Sequence, residues 1–252
     1  MTRFTIASFN VKNLIGPDQE FYKFLAYTPE EYAWKEDWMA DQILSMDADI
    51  VGFQEVFEEQ ALTDVIAEAD KRGTATNDAV LPGPGKPYRK KAIFRKLGYT
   101  PYSNAALAFA PNLNDGAPGK RRPGLAILSR FGYHGKPEII QHLDTPLTVP
   151  LQELGGENAG QFKITRLSRP IQKARIPVGG EVVTVFNCHL KSKLGEFIKP
   201  ENADFPREAV LTSYDPAGRA LGALRAAIRR MAEACVLRRA ILEELNKGHP
   251  VM

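Results

Sequence analysis

The chain has 252 residues, 44% of them hydrophobic, which is enough to bury a substantial core. Its formal charge of +3 is too small for the total alone to mark a nucleic-acid partner. Cys188 and Cys235, without Cys-x-x-Cys spacing, make no disulfide framework and fit a reducing compartment.

The opening segment turns polar at Ser8 and Asn10 before a signal-peptide core could form, and no apolar run approaches the ~18 residues of a membrane span. The expectation is a soluble, cytoplasmic protein that folds as one domain over residues 1–252. In chain order, "RFTIASFNVKNL" alternates with the period of a strand and ends in polar Asn10, Lys12 and Asn13. "TPEEYAWKEDWMADQILSM" opens with helix-start chemistry. Thr28 at the N-cap, Pro29 at N1 and Glu31 at N3 predict a capping box, and Tyr32, Met39, Ile43 and Met46 predict one buried face. "ADIVGFQEV" follows as a nearly continuous apolar strand ending in Gln54 and Glu55.

Residues 73–88, rich in Gly and Pro, read as a loop. "GLAILSRF" reads as a strand, and "FKITRLSRPIQKARIPV" as one or two more. Gly179-Gly180 is the two-residue turn of a tight hairpin into "EVVTVFNCHL". From Pro216 to Lys247 the spacing predicts a long helix, with Leu221, Leu224, Ile228, Met231 and Cys235 on one buried stripe that Ile241, Leu242 and Leu245 extend. Gly248 is placed to cap it and Pro250 to stop it resuming, so "PVM" reads as the opening of a strand. Strands in the majority, with a few long helices, predict an α+β layered sandwich.

Four polar residues fall where strands end or run. Asn10 alone reads as a turn residue, because Asn bonds its own backbone. Glu55, after an apolar run, needs a cation, an arginine or solvent as partner. His189, in "VFNCHLKSK", reads either as a hydrogen-bonded core histidine or as a catalytic one. Arg169, in "LSRPIQ", can pair with a carboxylate or reach a phosphate. The basic stretches "GKPYRKKAIFRK" and "GKRRPG" could steer a polyanion, whereas the arginines of the long helix read as its solvent face.

Taken in order, "SFNVKNL", "DIVGFQEV", "GLAILSRF", "SRPIQKARI" and "VFNCHLKS" resemble the motifs of the endonuclease/exonuclease/phosphatase superfamily, the deoxyribonuclease-like hydrolases. The resemblance spans residues 3–252, with stretches unlike the family near 73–120 and 135–160. It implies an αββα fold, two sheets flanked by helices, with the site at one end of the sheets. It also implies Mg²⁺ as cofactor, with Mn²⁺ as the alternative, and a phosphate-ester substrate, DNA among the candidates. Carried over by position, Glu55 would be the metal-binding glutamate and Asn10 the asparagine beside the metal. His189 would contact the scissile phosphate, and Arg169 would be a second phosphate contact.

The family's Gly-Asp-x-Asn and Ser-Asp-His motifs are not found in these 252 residues. The expectation drawn from this is the N-terminal portion of a longer phosphodiesterase, weakly active or inactive by itself, with an inner strand of its second sheet left uncovered. The alternatives are a phosphomonoesterase or lipid phosphodiesterase of the same superfamily, or a binding protein that keeps the fold without the reaction.

Overall fold

Alternating and continuous apolar runs pair into two sheets, and the amphipathic runs become helices laid on their outer faces. The computed structural model describes residues 3–22, 25–77, 98–113, 121–152, 158–195 and 216–252. The elements are β1 (Ile6–Leu14), α1 (Pro29–Met46), β2 (Ile50–Val56), α2 (Glu59–Asn77), β3 (Ala106–Ala110), β4 (Gly124–Ser129), β5 (Glu138–Gln152), β6 (Asn158–Val178), β7 (Glu181–Cys188) and α3 (Pro216–Asn246). One sheet has the order β1-β2-β4-β3 and the other β5-β6-β7. Among the described residues no helix is long and apolar enough to cross a membrane.

Three packed interfaces define the layers. Met39, Ala40 and Ile43 of α1, with Leu62, Val65 and Ala69 of α2, cover Val51, Phe53 and Leu128 on the outer face of the four-stranded sheet. Between the sheets, Ile50 and Ile127 meet Ala174, Ile176, Val183 and Val185. On the far side Ala232, Val236 and Leu237 of α3 pack on Ile164, Leu167 and Ile171 of β6. The result is the helix, sheet, sheet, helix order of an αββα sandwich.

Local chemistry sets the element ends. The Glu31 N–H donates to Thr28 Oγ1 at 3.2 Å and the Thr28 N–H to Glu31 Oε2 at 3.0 Å, the reciprocal capping box the sequence predicts. Gly179 and Gly180 both have positive φ, 58° and 92°, as a type I′ turn between β6 and β7 requires. At the end of α3, Gly248 is left-handed, its N–H bonds Leu245 O, and the His249 N–H bonds Glu244 O, a Schellman ending. Residues 250–252 then lie along β7. Val251 pairs parallel with Thr184, and the Phe186 N–H bonds Met252 O at 2.9 Å, so the outer edge of β7 is occupied there.

Of the one or two strands expected in "FKITRLSRPIQKARIPV", the structure has one, β6. Other expectations change. Helix α2 runs to Asn77 through the start of the expected 73–88 loop; residues 78–88 of that loop, and the basic stretch at 85–96, lie outside the described residues.

Of the expected α3 stripe, Ile228 packs half-buried against Ile164 and Ala232, but most of the rest is turned the other way. Leu224, Met231, Leu242 and Leu245 are exposed, as is Cys235, while Ala226, Ala232, Glu233, Val236 and Glu244 face inward. The Leu221 side chain is outside the described set. Small residues let the helix approach the bulky side chains of β6, and the two inward glutamates find polar partners there.

Candidate functional site

The site forms where β1, β2 and β7 run out at one end of the sandwich. β1 and β2 are parallel, in register from Ile6↔Ile50 to Asn10↔Gln54, so their C-terminal ends deliver Asn10 and Glu55 side by side. Beyond Asn10 the register slips to Leu14↔Val56, and the backbone of this bulge is left-handed at Lys12 (φ 48°), Asn13 (φ 59°) and, opposite, Glu55 (φ 65°). Left-handed non-glycine residues cost on the order of 1–3 kcal/mol each and gather where surrounding structure over-determines them.

Here the bulge aims the Glu55 carboxylate. Its Oε1 accepts from Asn10 Nδ2 at 3.0 Å and its Oε2 from the Asn13 N–H at 3.2 Å. The Asn10 amide oxygen meanwhile accepts from the Lys12 N–H at 2.9 Å, a local Asx turn.

His189 follows the end of β7, in the other sheet, and its Nε2 lies 3.7 Å from Glu55 Oε1. Arg169 on β6 donates from Nη1 to Leu190 O at 3.0 Å and lies near the Tyr22 phenol. The four residues picked from the sequence are thus brought together: Asn10 and Glu55 from one sheet, His189 and Arg169 from the other. A buried amide pair ties the sheets beside them. Gln54 Nε2 donates to Asn187 Oδ1 at 2.7 Å, and Asn187 Nδ2 donates to Phe53 O and Ala126 O, both at 2.9 Å. Each amide is close in sequence to a site residue, Gln54 to Glu55 and Asn187 to His189.

Side chains that sequence reasoning passed over complete the walls. Tyr22, left-handed at φ 45°, packs edge-on to Phe57. Burial raises the basicity of its phenolate, and Arg169 partly offsets that. Lys35 of α1 donates to Lys12 O at 2.5 Å and to the Tyr27 hydroxyl at 3.3 Å. Burial, then the Lys12 charge, bring its pKa down to about 8, against the pull of Glu55. Arg121 binds Glu58 and Gln19, pinning the 16–22 loop to the start of α2. No periodicity or spacing marks Tyr22, Tyr27 or Lys35, because each reaches the site through the fold of a loop or the tilt of a helix.

Burial first, then the nearby Arg169 and, more weakly, Arg230, lower the pKa of His189, while Glu55 acts to raise it. The neutral ring is therefore favoured, and its Nδ1 is buried without a hydrogen-bond partner. Among the described residues no three His, Cys, Asp or Glu side chains gather as they would around a zinc ion. The donors present are oxygens: the Glu55 carboxylate, and a buried Asn13 Oδ1 with no partner although the same residue's N–H meets that carboxylate. One carboxylate with a few neutral oxygens suits a cation that keeps much of its water, as Mg²⁺ does.

No family model matches the chain, and no curated protein does. Among solved structures it is similar to an endonuclease/exonuclease/phosphatase family protein from Leptotrichia buccalis C-1013-b, at 14% identity and TM-score 0.39, over 74% of this chain and 53% of that one. It is also similar to an endonuclease/exonuclease/phosphatase from Beutenbergia cavernae DSM 12333, at 17% identity and TM-score 0.35, over 76% of this chain and 39% of that one. A third is a β-hairpin deletion mutant of the beta toxin of Staphylococcus aureus, at 17% identity and TM-score 0.33, over 76% and 52%. The chain thus spans about half or less of the length of these proteins. Likeness this low leaves the functional reading to the site's own geometry.

Proposed function

We propose that the chain carries the metal- and phosphate-binding side of a Mg²⁺-dependent phosphoesterase acting on phosphodiesters, with Mn²⁺ as an alternative ion and DNA among the candidate substrates. The observation that carries this reading is the gathering of Glu55, Asn10, His189 and Arg169 at one end of the two sheets, with Glu55 Oε1 only 3.7 Å from His189 Nε2. A carboxylate aimed by strained backbone, beside a neutral imidazole and a guanidinium, offers a cation site and anion donors within one substrate length.

Glu55 would hold the ion, with amide oxygen from Asn10 or Asn13. When bound, the ion would neutralise charge that develops on phosphate oxygens. Neutral His189 donates one ring N–H and leaves the other nitrogen as acceptor, so with Nε2 protonated it orients a phosphate oxygen. Arg169 adds planar guanidinium donors, while its bond to Leu190 O fixes where those donors point.

The test is binding first and turnover second. Calorimetry with MgCl₂ should show a site in the wild-type chain that is lost in Glu55→Gln. Turnover of an activated diester such as bis(p-nitrophenyl) phosphate should be weak or absent in this chain by itself; whatever cleavage occurs should require Mg²⁺ or Mn²⁺ and be at least about 100-fold slower in the variant, the scale for removing one charge-stabilising group. Equal Mg²⁺ affinity in both proteins, or cleavage indifferent to the substitution, would overturn the reading.

A further inference from the structure

Glu233 is a carboxylate in the middle of α3 with a side chain turned into the protein, and the residue is 3% exposed. Burying a carboxylate is costly unless donors surround it. Its donors are not on its own helix. Oε1 accepts from the Ser168 N–H at 3.0 Å and, through a very short bond, from the Ser168 hydroxyl. Oε2 accepts from the Lys191 N–H at 2.5 Å. One helical turn away, Arg230 Nη1 donates to Lys191 O at 2.8 Å, so the Lys191 peptide is held from both sides.

Ser168 immediately precedes Arg169, and Lys191 lies two residues beyond His189. Arg169 in turn donates to Leu190 O, between His189 and the gripped Lys191. One buried carboxylate therefore fixes both backbone segments that present the proposed phosphate contacts.

We infer that Glu233 is the positioning residue of the phosphate-binding half of the site. It sets the spacing of Arg169 and His189 from behind by clamping the Ser168 and Lys191 peptides, without touching the ligand. The phosphate role of those two residues is taken from the function proposed above; the clamp itself stands on the hydrogen bonds. A purely structural glutamate could have salt-bridged one neighbour, whereas this one divides its two oxygens between the two site-bearing segments.

The experiment compares the full chain with Glu233→Gln, Ser168→Ala and, as a control on the exposed face of the same helix, Glu243→Gln. The readouts are the melting temperature, the amide signals of residues 168 and 191, the His189 ring signals at fixed pH, and affinity for inorganic phosphate in the presence of Mg²⁺. In Glu233→Gln one carboxylate oxygen becomes an NH₂ group facing a backbone donor. The two amide signals should shift, the His189 ring signals should move with them, and phosphate affinity should fall about tenfold, the scale for losing a group that orients site residues.

Ser168→Ala should show a smaller version of the same changes, and Glu243→Gln none. The inference is overturned if the residue 168 and 191 amides change while the His189 ring and phosphate affinity keep their wild-type values. Should Glu233→Gln fail to fold, Ser168→Ala decides by the same criterion. A wild-type chain that binds no phosphate would count against the proposed function, and the His189 ring signals would then decide the clamp alone.

Discussion

Lys12 shows how much of this site depends on one residue's backbone. Its φ of 48° is the conformation L-residues avoid, yet its carbonyl must stay there to receive both Lys35 and the Tyr27 hydroxyl. Lys12→Gly removes the steric penalty while keeping that carbonyl, and it also removes a positive charge near Lys35. Burial remains the main reason that Lys35 titrates at about 8, with Lys12 the second, so the variant should raise the Lys35 pKa without restoring it fully.

The linkage has a definite sign. The folded value lies below the unfolded ~10.4, so between about pH 8 and 10.4 the unfolded chain holds more protons and stability from this group rises with pH. The rise should be shallower in Lys12→Gly. Chemical-shift titration of Lys35 and denaturant melts across that range check both claims; an unmoved Lys35 midpoint would show that Lys12 is not a cause.

At the scale of elements, strand β2 carries a glycine whose absent side chain is what lets the sheets meet. A Cβ on Gly52 would stand 3.1 Å from Asn187 Cγ and 3.2 Å from its Oδ1. That amide cannot step aside, being fixed by Gln54, Phe53 O and Ala126 O. Gly52→Ala should therefore cost about 1–3 kcal/mol, as overpacking does. A thermal melt at or above the wild-type midpoint would show that the inter-sheet clamp yields.

The elements legible in the sequence were those with strong local signals. The capping box fixed the start of α1, the Gly-Gly pair fixed the β6–β7 turn, and β1, β2, β4 and β7 announced themselves by alternation or continuous apolar runs. β5 was missed because Pro146 and Pro150 argue against a strand. It survives as an edge strand with register irregularities between His142 and Leu147 and between Pro150 and Gln152. β3 is a short, alanine-rich edge strand with little propensity to read. The buried face of α3 was misread for a deeper reason. Glu233 and Glu244 point inward, and what makes that tolerable lies far away in sequence, at Ser168, Lys173, Arg175 and Thr184. Asn10, Glu55, His189 and Arg169 are legible as polar groups within or at the ends of strands, and only the order of the motifs gives them roles; their coming together depends on two sheets whose packing no local pattern encodes.

Across the whole molecule, Glu244 ties the long helix α3 to β6, β7 and the terminal segment. Fully buried, it takes Lys173 at 2.9 Å and Arg175 at 3.2 Å from β6, Lys247 at 2.9 Å from the helix end, His249 at 2.8 Å from the terminal segment, and the Thr184 hydroxyl from β7. Burial pushes its carboxyl up, but the bonds from His249, Lys247, Lys173 and Arg175 outweigh this and hold it far below the usual carboxylate range. Because the folded value is depressed, its stabilisation is complete above the unfolded ~4.3 and is lost as pH falls below it. Glu244→Gln should cost about 3–5 kcal/mol at neutral pH by leaving Lys173 buried without its inner partner. The variant's stability should also fall less steeply than wild type below about pH 4.3. Parallel acid dependence in the two proteins would show that the carboxylate is not the acid-sensitive group.

The gap between Glu55 and His189 is spanned by neither sheet alone. Its width is set by what fills the space between the sheets, where Ile50, Ile127, Ala174, Ile176, Val183 and Val185 pack. Because such interiors compress little and pass strain along, methyl groups at those positions act as a gauge for the opening. Exchanging Ala174 for Val, or Val185 for Ala, should change the distance between Glu55 and His189 without altering either residue, so the geometry of this end of the sandwich can drift through the aliphatic core while its polar residues stay constant.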